Sequence, residues 1–307
     1  FIMASYTQIS YLDIIAVAAL PALLYFLSVG FFVRVEAKRS QAHAVAMEAR
    51  PIGQVLQGGW HFLLPLAVLV ALLIDGFTPT YAAGVAIVSV VVASWLSNKP
   101  MGVREVLDAL ALGSKNMAAT AMLLIAIGLV VNVVATTGIG NTFSLMVTDW
   151  AGGSLLVMII LIALASLILG MGLPVTAAYI VLATLSAPAL YGLIAEAKLL
   201  ALMVSGNLPE AAKMIFMLLD GEKIALLAAP MSEVEARQLF ELVPADLKHQ
   251  LLEQALAPEV IAMALLSAHM IIFWLSQDSN VTPPVCLTAF AAAAIAKTPQ
   301  MATGFTA

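Results

Sequence analysis

Apolar residues run through this chain in blocks long enough to cross a bilayer, punctuated by short clusters of charge, glycine and proline. The first block, 11–33 (YLDIIAVAALPALLYFLSVGFFV), is long enough as a helix to cover the roughly 30 Å hydrocarbon core of a membrane. Two more spans are predicted at 60–74 and 80–96, joined by the tight turn Asp75-Gly76-Phe77-Thr78-Pro79, which carries no cation. A fourth covers 116–137 and ends at Gly138-Ile139-Gly140. An amphipathic stretch then runs to Trp150 and the corner Ala151-Gly152-Gly153.

Two later blocks are interrupted. Within 167–190 (LILGMGLPVTAAYIVLATLSAPAL), Gly170 and Gly172 loosen the backbone, while Pro174 removes a donor and restricts the residue before it. A continuous helix is not expected through such a point. Either the chain turns back, making 154–169 and 175–194 a re-entrant hairpin, or it kinks between two spans, since each arm covers most of a bilayer. The second interrupted block joins apolar 260–275 to apolar 285–296 through Ser276-Gln277-Asp278-Ser279-Asn280-Val281-Thr282-Pro283-Pro284. Neither apolar half is a full span, so together they read as one helix broken near its middle. Asp278 is the one acidic side chain expected deep in the membrane, where a charge costs about 2.5–3.5 kcal/mol on insertion scales and calls for pairing, protonation or a nearby cation.

Charge sets the orientation. Arg34, Lys38, Arg39 and Arg50 occupy one polar segment, in which a short surface helix is expected before Pro51-Ile52-Gly53. Lys99, Arg104 and Lys115 occupy another. The loops at 75–80 and 138–153 hold neither Lys nor Arg, so the basic loops at 34–50 and 98–115 are placed in the cytoplasm. Ser154 then starts from the external side and Lys297 is cytoplasmic. Between the interrupted blocks, 195–259 is polar, with ten Asp or Glu against five Lys or Arg, and is broken at Gly206, Pro209, Gly221, Pro230, Pro244 and Pro258. It reads as a solvated helical insert on the external face.

Composition agrees with a polytopic, all-α membrane protein: 63% hydrophobic and 10% charged residues, with mean hydropathy +1.05. The lone Cys286 excludes an intrachain disulfide framework. No basic patch with interleaved aromatics offers a nucleic-acid surface. The chain opens on Phe1-Ile2-Met3-Ala4 without a basic leader and reads as part of something longer. His43, His61, His249 and His269 lack ligand spacing and are read as structural. A Ser276-His269-Asp278 hydrolase is disfavoured because seven residues place His269 and Ser276 about two helical turns apart. Gly170 to Pro174 is no phosphate loop, lacking the Lys and Ser or Thr that such a loop needs.

Two broken segments whose ends meet in mid-membrane form the pattern of ion-coupled secondary transporters. Carbonyls near Gly170, Met171 and Ser276 are hard donors suited to Na⁺, and Thr176, Asn280 and Thr282 add side-chain oxygens. Helix N-termini near Thr176 and Val285 suit a carboxylate. A channel or a purely structural membrane subunit remains the alternative.

At Gly170-Met171-Gly172-Leu173-Pro174-Val175-Thr176-Ala177-Ala178-Tyr179 with Ala187-Pro188-Ala189-Leu190, the sequence resembles the second-hairpin motif of the large membrane subunit of TRAP (tripartite ATP-independent periplasmic) transporters, in particular the TAXI branch of fused permeases. Ser276 to Pro284, with Ala289-Phe290-Ala291-Ala292-Ala293, resembles that branch's second discontinuous helix. The resemblance covers nearly everything outside the insert. It implies an elevator-type importer of two inverted repeats in the bacterial or archaeal inner membrane, driven by Na⁺ and fed small organic anions by a periplasmic substrate-binding protein. This chain would supply the second repeat. The first repeat, with its own hairpin and Na⁺ site, would lie in a missing part of the permease.

Carried over residue by residue, Na⁺ would be held by Gly170, Met171, Gly172, Thr176, Ser279, Asn280 and Thr282. Substrate would meet Pro174, Val175, Thr176, Asn280, Thr282 and Pro283, with Asp278 for coupling or charge compensation. The expected organisation is the end of the first-repeat split helix at 1–10, scaffold helices at 11–150 and the re-entrant hairpin at 151–194. The acidic insert follows at 195–258 and the discontinuous helix at 259–307. A bulky residue at Gly172 is expected to abolish Na⁺-dependent uptake, and the insert to contact the binding protein or a neighbouring external surface.

Overall fold

A computed structural model describes residues 2–39, 53, 59–97, 100–219, 230–284 and 286–306. The surface helix expected before Gly53, and the residues Arg50, Lys99, Gly221 and Val285, lie outside them. All elements among the described residues are helical. They divide into two compact units, one of residues 8–121 and one of residues 2–7 and 122–307.

The first unit holds α2 (Tyr11–Arg39), a 3₁₀ turn (Trp60–Phe62) leading into α3 (Leu63–Ile74), α4 (Pro79–Trp95) and the start of α5 (Val103–Thr137). The reversal between α3 and α4 is built as its residues predict. Gly76 takes a left-handed conformation (φ 85°), its N–H donates to Leu73 O, and the Phe77 N–H donates to Leu72 O. That pair of bonds closes the end of α3, and Pro79 then starts α4 where no N–H is needed. Large apolar side chains on α2 point outward, including Phe26, Phe31 and Phe32. Lys38 and Arg39 close its last turn, where cations complement the carbonyl end of a helix. α5 begins at Val103, so the basic stretch expected as a loop up to Lys115 is largely helical. Its Ala and Leu content favours that outcome.

The second unit is built around α8 (Val175–Val204), which packs against α6 (Ile139–Ala151), α7 (Leu155–Gly170), α10 (Glu233–Glu241), α11 (Ala245–Ala255) and α12 (Pro258–Ser276). Ala177, Ala178, Ala183, Ser186 and Ala187 are all buried on it, and small side chains let neighbouring helices approach closely. Pro188 lies inside α8 and cannot donate to the carbonyl four residues back, at Thr184. α6 covers this turn, with Ser144 Oγ donating to Leu185 O at 2.6 Å. The short α1 (Ile2–Thr7) packs on α12.

α8 does not stop at Ile194, where the composition changes. Leu199, Leu200 and Met203 carry its buried stripe onward into a second core with Ile215, Phe216, Leu239, Phe240, Leu251 and Leu252. This core joins α8 to α9 (Glu210–Leu219), α10 and α11. The insert is thus folded onto the far end of α8.

Candidate functional site

Both expected interruptions are present. α7 ends at Gly170, a turn carries residues 171–174, and α8 starts at Val175 with Pro174 as its N-cap. The Gly172 and Leu173 N–H groups both donate to Leu169 O. Gly170's carbonyl has no helical donor four residues on, because that residue is Pro174. The N–H groups of Val175, Thr176 and Ala177 begin α8 with no side-chain cap.

The second interruption lies further along its helix than expected. α12 starts at Pro258 and runs to Ser276, and a 3₁₀ turn (Gln277–Asn280) extends it, giving an apolar stretch of 23 residues that is itself long enough to cross a membrane. The polar residues extend the helix by bonding back along it. Ser276 Oγ donates to Ile272 O, Gln277 Nε2 to Phe273 O and Ser279 Oγ to Ser276 O. The break proper begins after Asn280, and the chain resumes as α13 (Leu287–Ala296) and α14 (Gln300–Thr306). Thr282 Oγ1 and Thr288 Oγ1 donate to the Asp278 and Asn280 carbonyls at 2.6 Å, folding the break on itself.

The end of α7 touches the 3₁₀ turn that leads into the second break. A Cβ placed on Gly170 would lie 3.1 Å from Ser279 Cα and 3.3 Å from Ser279 N, so any other residue would have to push the two backbones apart by a few tenths of an ångström. Four residues earlier, Ser166 Oγ donates to Leu275 O at 3.0 Å, tying α7 to the end of α12 across 109 residues of sequence. α8 packs against the same 3₁₀ turn.

Of the residues named from sequence, Gly170 and Ser279 are buried and in contact. Pro174, Val175, Asn280, Thr282 and Pro283 are half-buried around the two breaks, whereas Met171, Gly172 and Thr176 are exposed. Asp278 is exposed too, with no cation within ion-pair distance among the described residues.

Sequence reasoning passed over Ser166 and Thr288, which satisfy backbone carbonyls at the break. A lone hydroxyl in the apolar run LLVMIILIALASLILG was the signal for the first. It also passed over the Trp274 indole N–H, in the last turn of α12, a buried donor without a partner among the described residues. The hydrolase arrangement is absent in geometry: His269 Nδ1 is bonded to Tyr179 OH at 2.9 Å, and Ser276 Oγ is bonded to its own helix.

A helical chain with two abutting interruptions fits a transport subunit, and comparison with known families decides which. The family model for the DctM component of the tripartite ATP-independent periplasmic transporter matches residues 1–306. The chain belongs to the DctM family. No curated protein and no solved structure matches it. DctM proteins are the large permease components of TRAP secondary transporters for organic acids; they are not enzymes, and they work in a membrane with a periplasmic substrate-binding protein. The interruptions of this DctM chain therefore lie in a transport protein, and the elements that meet there, α7, α8 and α12, are helices apolar enough for a bilayer interior.

Proposed function

We propose that this chain carries one half of the site of a Na⁺-coupled importer for a small carboxylate, of the TAXI branch, in a bacterial or archaeal inner membrane. The observation that carries the reading is the approach of Gly170 to Ser279. It brings the first interruption against the 3₁₀ turn that leads into the second, joining residues 109 apart. In an apolar medium, unpaired carbonyls and N–H groups persist only where protein or a bound polar species satisfies them. The Gly170 carbonyl is left without a helical donor by Pro174, and the first N–H groups of α8 are uncapped. The one suits a cation and the others a carboxylate, separated by a single turn of chain.

The residues present fit Na⁺. Carbonyl oxygens of Gly170, Met171 and Gly172 are hard donors. The hydroxyls of Ser279 and Thr282 donate their hydrogens to Ser276 O and Asp278 O, and each oxygen keeps lone pairs for a cation. Thr176 and Asn280 complete the set. The carboxylate would take the N–H groups of Val175 to Ala177 beside Pro174, Thr176, Asn280, Thr282 and Pro283. Asp278, exposed and unpaired, would balance charge.

α7 has 16 residues, about 24 Å at helical rise, short of the hydrocarbon core. That length accords with a re-entrant α7 arm that turns back into the longer α8, with the complementary first repeat supplying the other half of an elevator. The test is uptake of a labelled organic-anion panel by the intact permease in proteoliposomes, with binding protein outside and the Na⁺ gradient imposed or collapsed. Uptake needing both is expected. Currents or uptake needing neither would replace this reading with a channel.

A further inference from the structure

The insert is fastened to the α7–α8 pair twice, and the second fastening uses an arginine. The first is covalent: α8 runs unbroken from the site into the insert core through Leu199, Leu200 and Met203. The second lies at the opposite arm. Arg237, on α10, reaches back over the corner Gly152-Gly153 that precedes α7. A Cβ at Gly153 would press on Arg237 Nη1, which could swing aside, and it is the left-handed conformation of Gly153 (φ 75°) that requires glycine there. The same guanidinium lies 3.7 Å from Glu196 Oε1 of α8. One side chain of the insert therefore meets both outer ends of the helix pair. Beside it opens a cavity of about 370 Å³, walled by Leu155, Leu193, Leu200 and Val204, so little apolar packing replaces the arginine at this point.

We infer that Arg237 is a positioning residue, a clasp through which the insert fixes the spacing of α7 and α8 at the ends remote from the 171–174 turn. The pair is then held at one end by the insert and at the other by the Gly170–Ser279 approach and the Ser166–Leu275 bond. Between Gly153 and Arg237 the fastening is a close packing contact. Between Arg237 and Glu196 it is an ion pair whose side chains are 38% and 22% exposed, weak enough to open and sensitive to salt. The insert thereby governs how far the outer ends of the hairpin separate, whatever ion or substrate the site takes.

Amide hydrogen exchange on the full chain in lipid nanodiscs tests this. In Arg237→Ala, exchange at 153–158 should rise about two- to fivefold, as expected for losing a half-exposed ion pair, while exchange at 262–272 in α12 stays unchanged. Gly153→Ala, which both strains the corner and displaces the guanidinium, should raise it by roughly tenfold. In the unmodified protein, going from low salt to about 1 M should reproduce part of the arginine effect, a readout that needs no variant to fold. Exchange at 153–158 that ignores both substitutions and salt overturns the clasp. So does a rise shared equally by 262–272, which would mark general loosening.

Discussion

Gly170 and Gly172 look equivalent in the motif and are not equivalent in space. A methyl group on Gly170 meets the Ser279 backbone, which cannot rotate away, whereas one on Gly172 meets nothing within 4 Å. Gly170→Ala should cost about 1–3 kcal/mol of local packing and remove most Na⁺-dependent uptake while membrane insertion persists. Gly172→Ala should leave uptake near wild type, so the earlier expectation for Gly172 holds only for residues too large for the open space there. Parallel uptake assays of the two variants decide the matter, and equal loss in both would refute the contact. Ser166→Ala should lower stability by about 0.5–1.5 kcal/mol through its bond to Leu275 O, read as a modest drop in thermal midpoint. The interruptions were legible because proline and glycine announce missing donors and loose backbone locally. That they meet was expected from the pattern of broken segments, but which residues touch was not legible, because the Gly170–Ser279 approach joins residues that no local pattern links.

Helices record the same division. Lengths of α3, α4 and the apolar part of α12 follow from hydrophobic runs, and the α3–α4 turn follows from Gly76 and Pro79. The extension of α8 past Ile194 was hidden, because Glu196 and Lys198 change the composition while Leu199, Leu200 and Met203 keep the stripe going. α10 opens with a capping box in which Ser232 N–H and Oγ–H both donate to Glu235 and the Glu235 N–H donates to Ser232 Oγ. Those bonds, the backbone one first, hold the Glu235 carboxyl below its usual pKa. A depressed folded-state value means the box stabilises α10 above about pH 4.3, the ordinary carboxylate value, and stops doing so as pH falls through the lower one. Amide exchange at the start of α10 should therefore accelerate on acidification, and Glu235→Gln, which still caps, should flatten that dependence. At the other end of the unit, Gly304 of α14 lies against buried Cys286, where a Cβ would sit 2.5 Å from Sγ. Gly304→Val should raise maleimide labelling of this single cysteine by about tenfold or more, and slow labelling in the variant would show that α14 is not what shields it.

At the scale of the molecule, the insert cannot be removed where composition marks its edge. Deleting 197–254 would take Leu199, Leu200 and Met203 out of α8 itself. Deleting only 206–256 would leave them bare. Both deletions should give aggregation-prone protein by size-exclusion chromatography; a monodisperse product from either would mean that this core is dispensable. The two units also differ in what their apolar surface meets. Of the most apolar stretch of α8, 67% is buried against protein, whereas in α2 the figure is 6%. The second unit is held by its own contacts, so its heat resistance should track internal substitutions such as those above. α2 has almost no such contacts among the described residues, and its persistence is a property of what surrounds it. Bilayer thickness and detergent chain length are therefore the variables that act on the first unit, and a condition tuned to preserve one half of the chain carries no guarantee for the other.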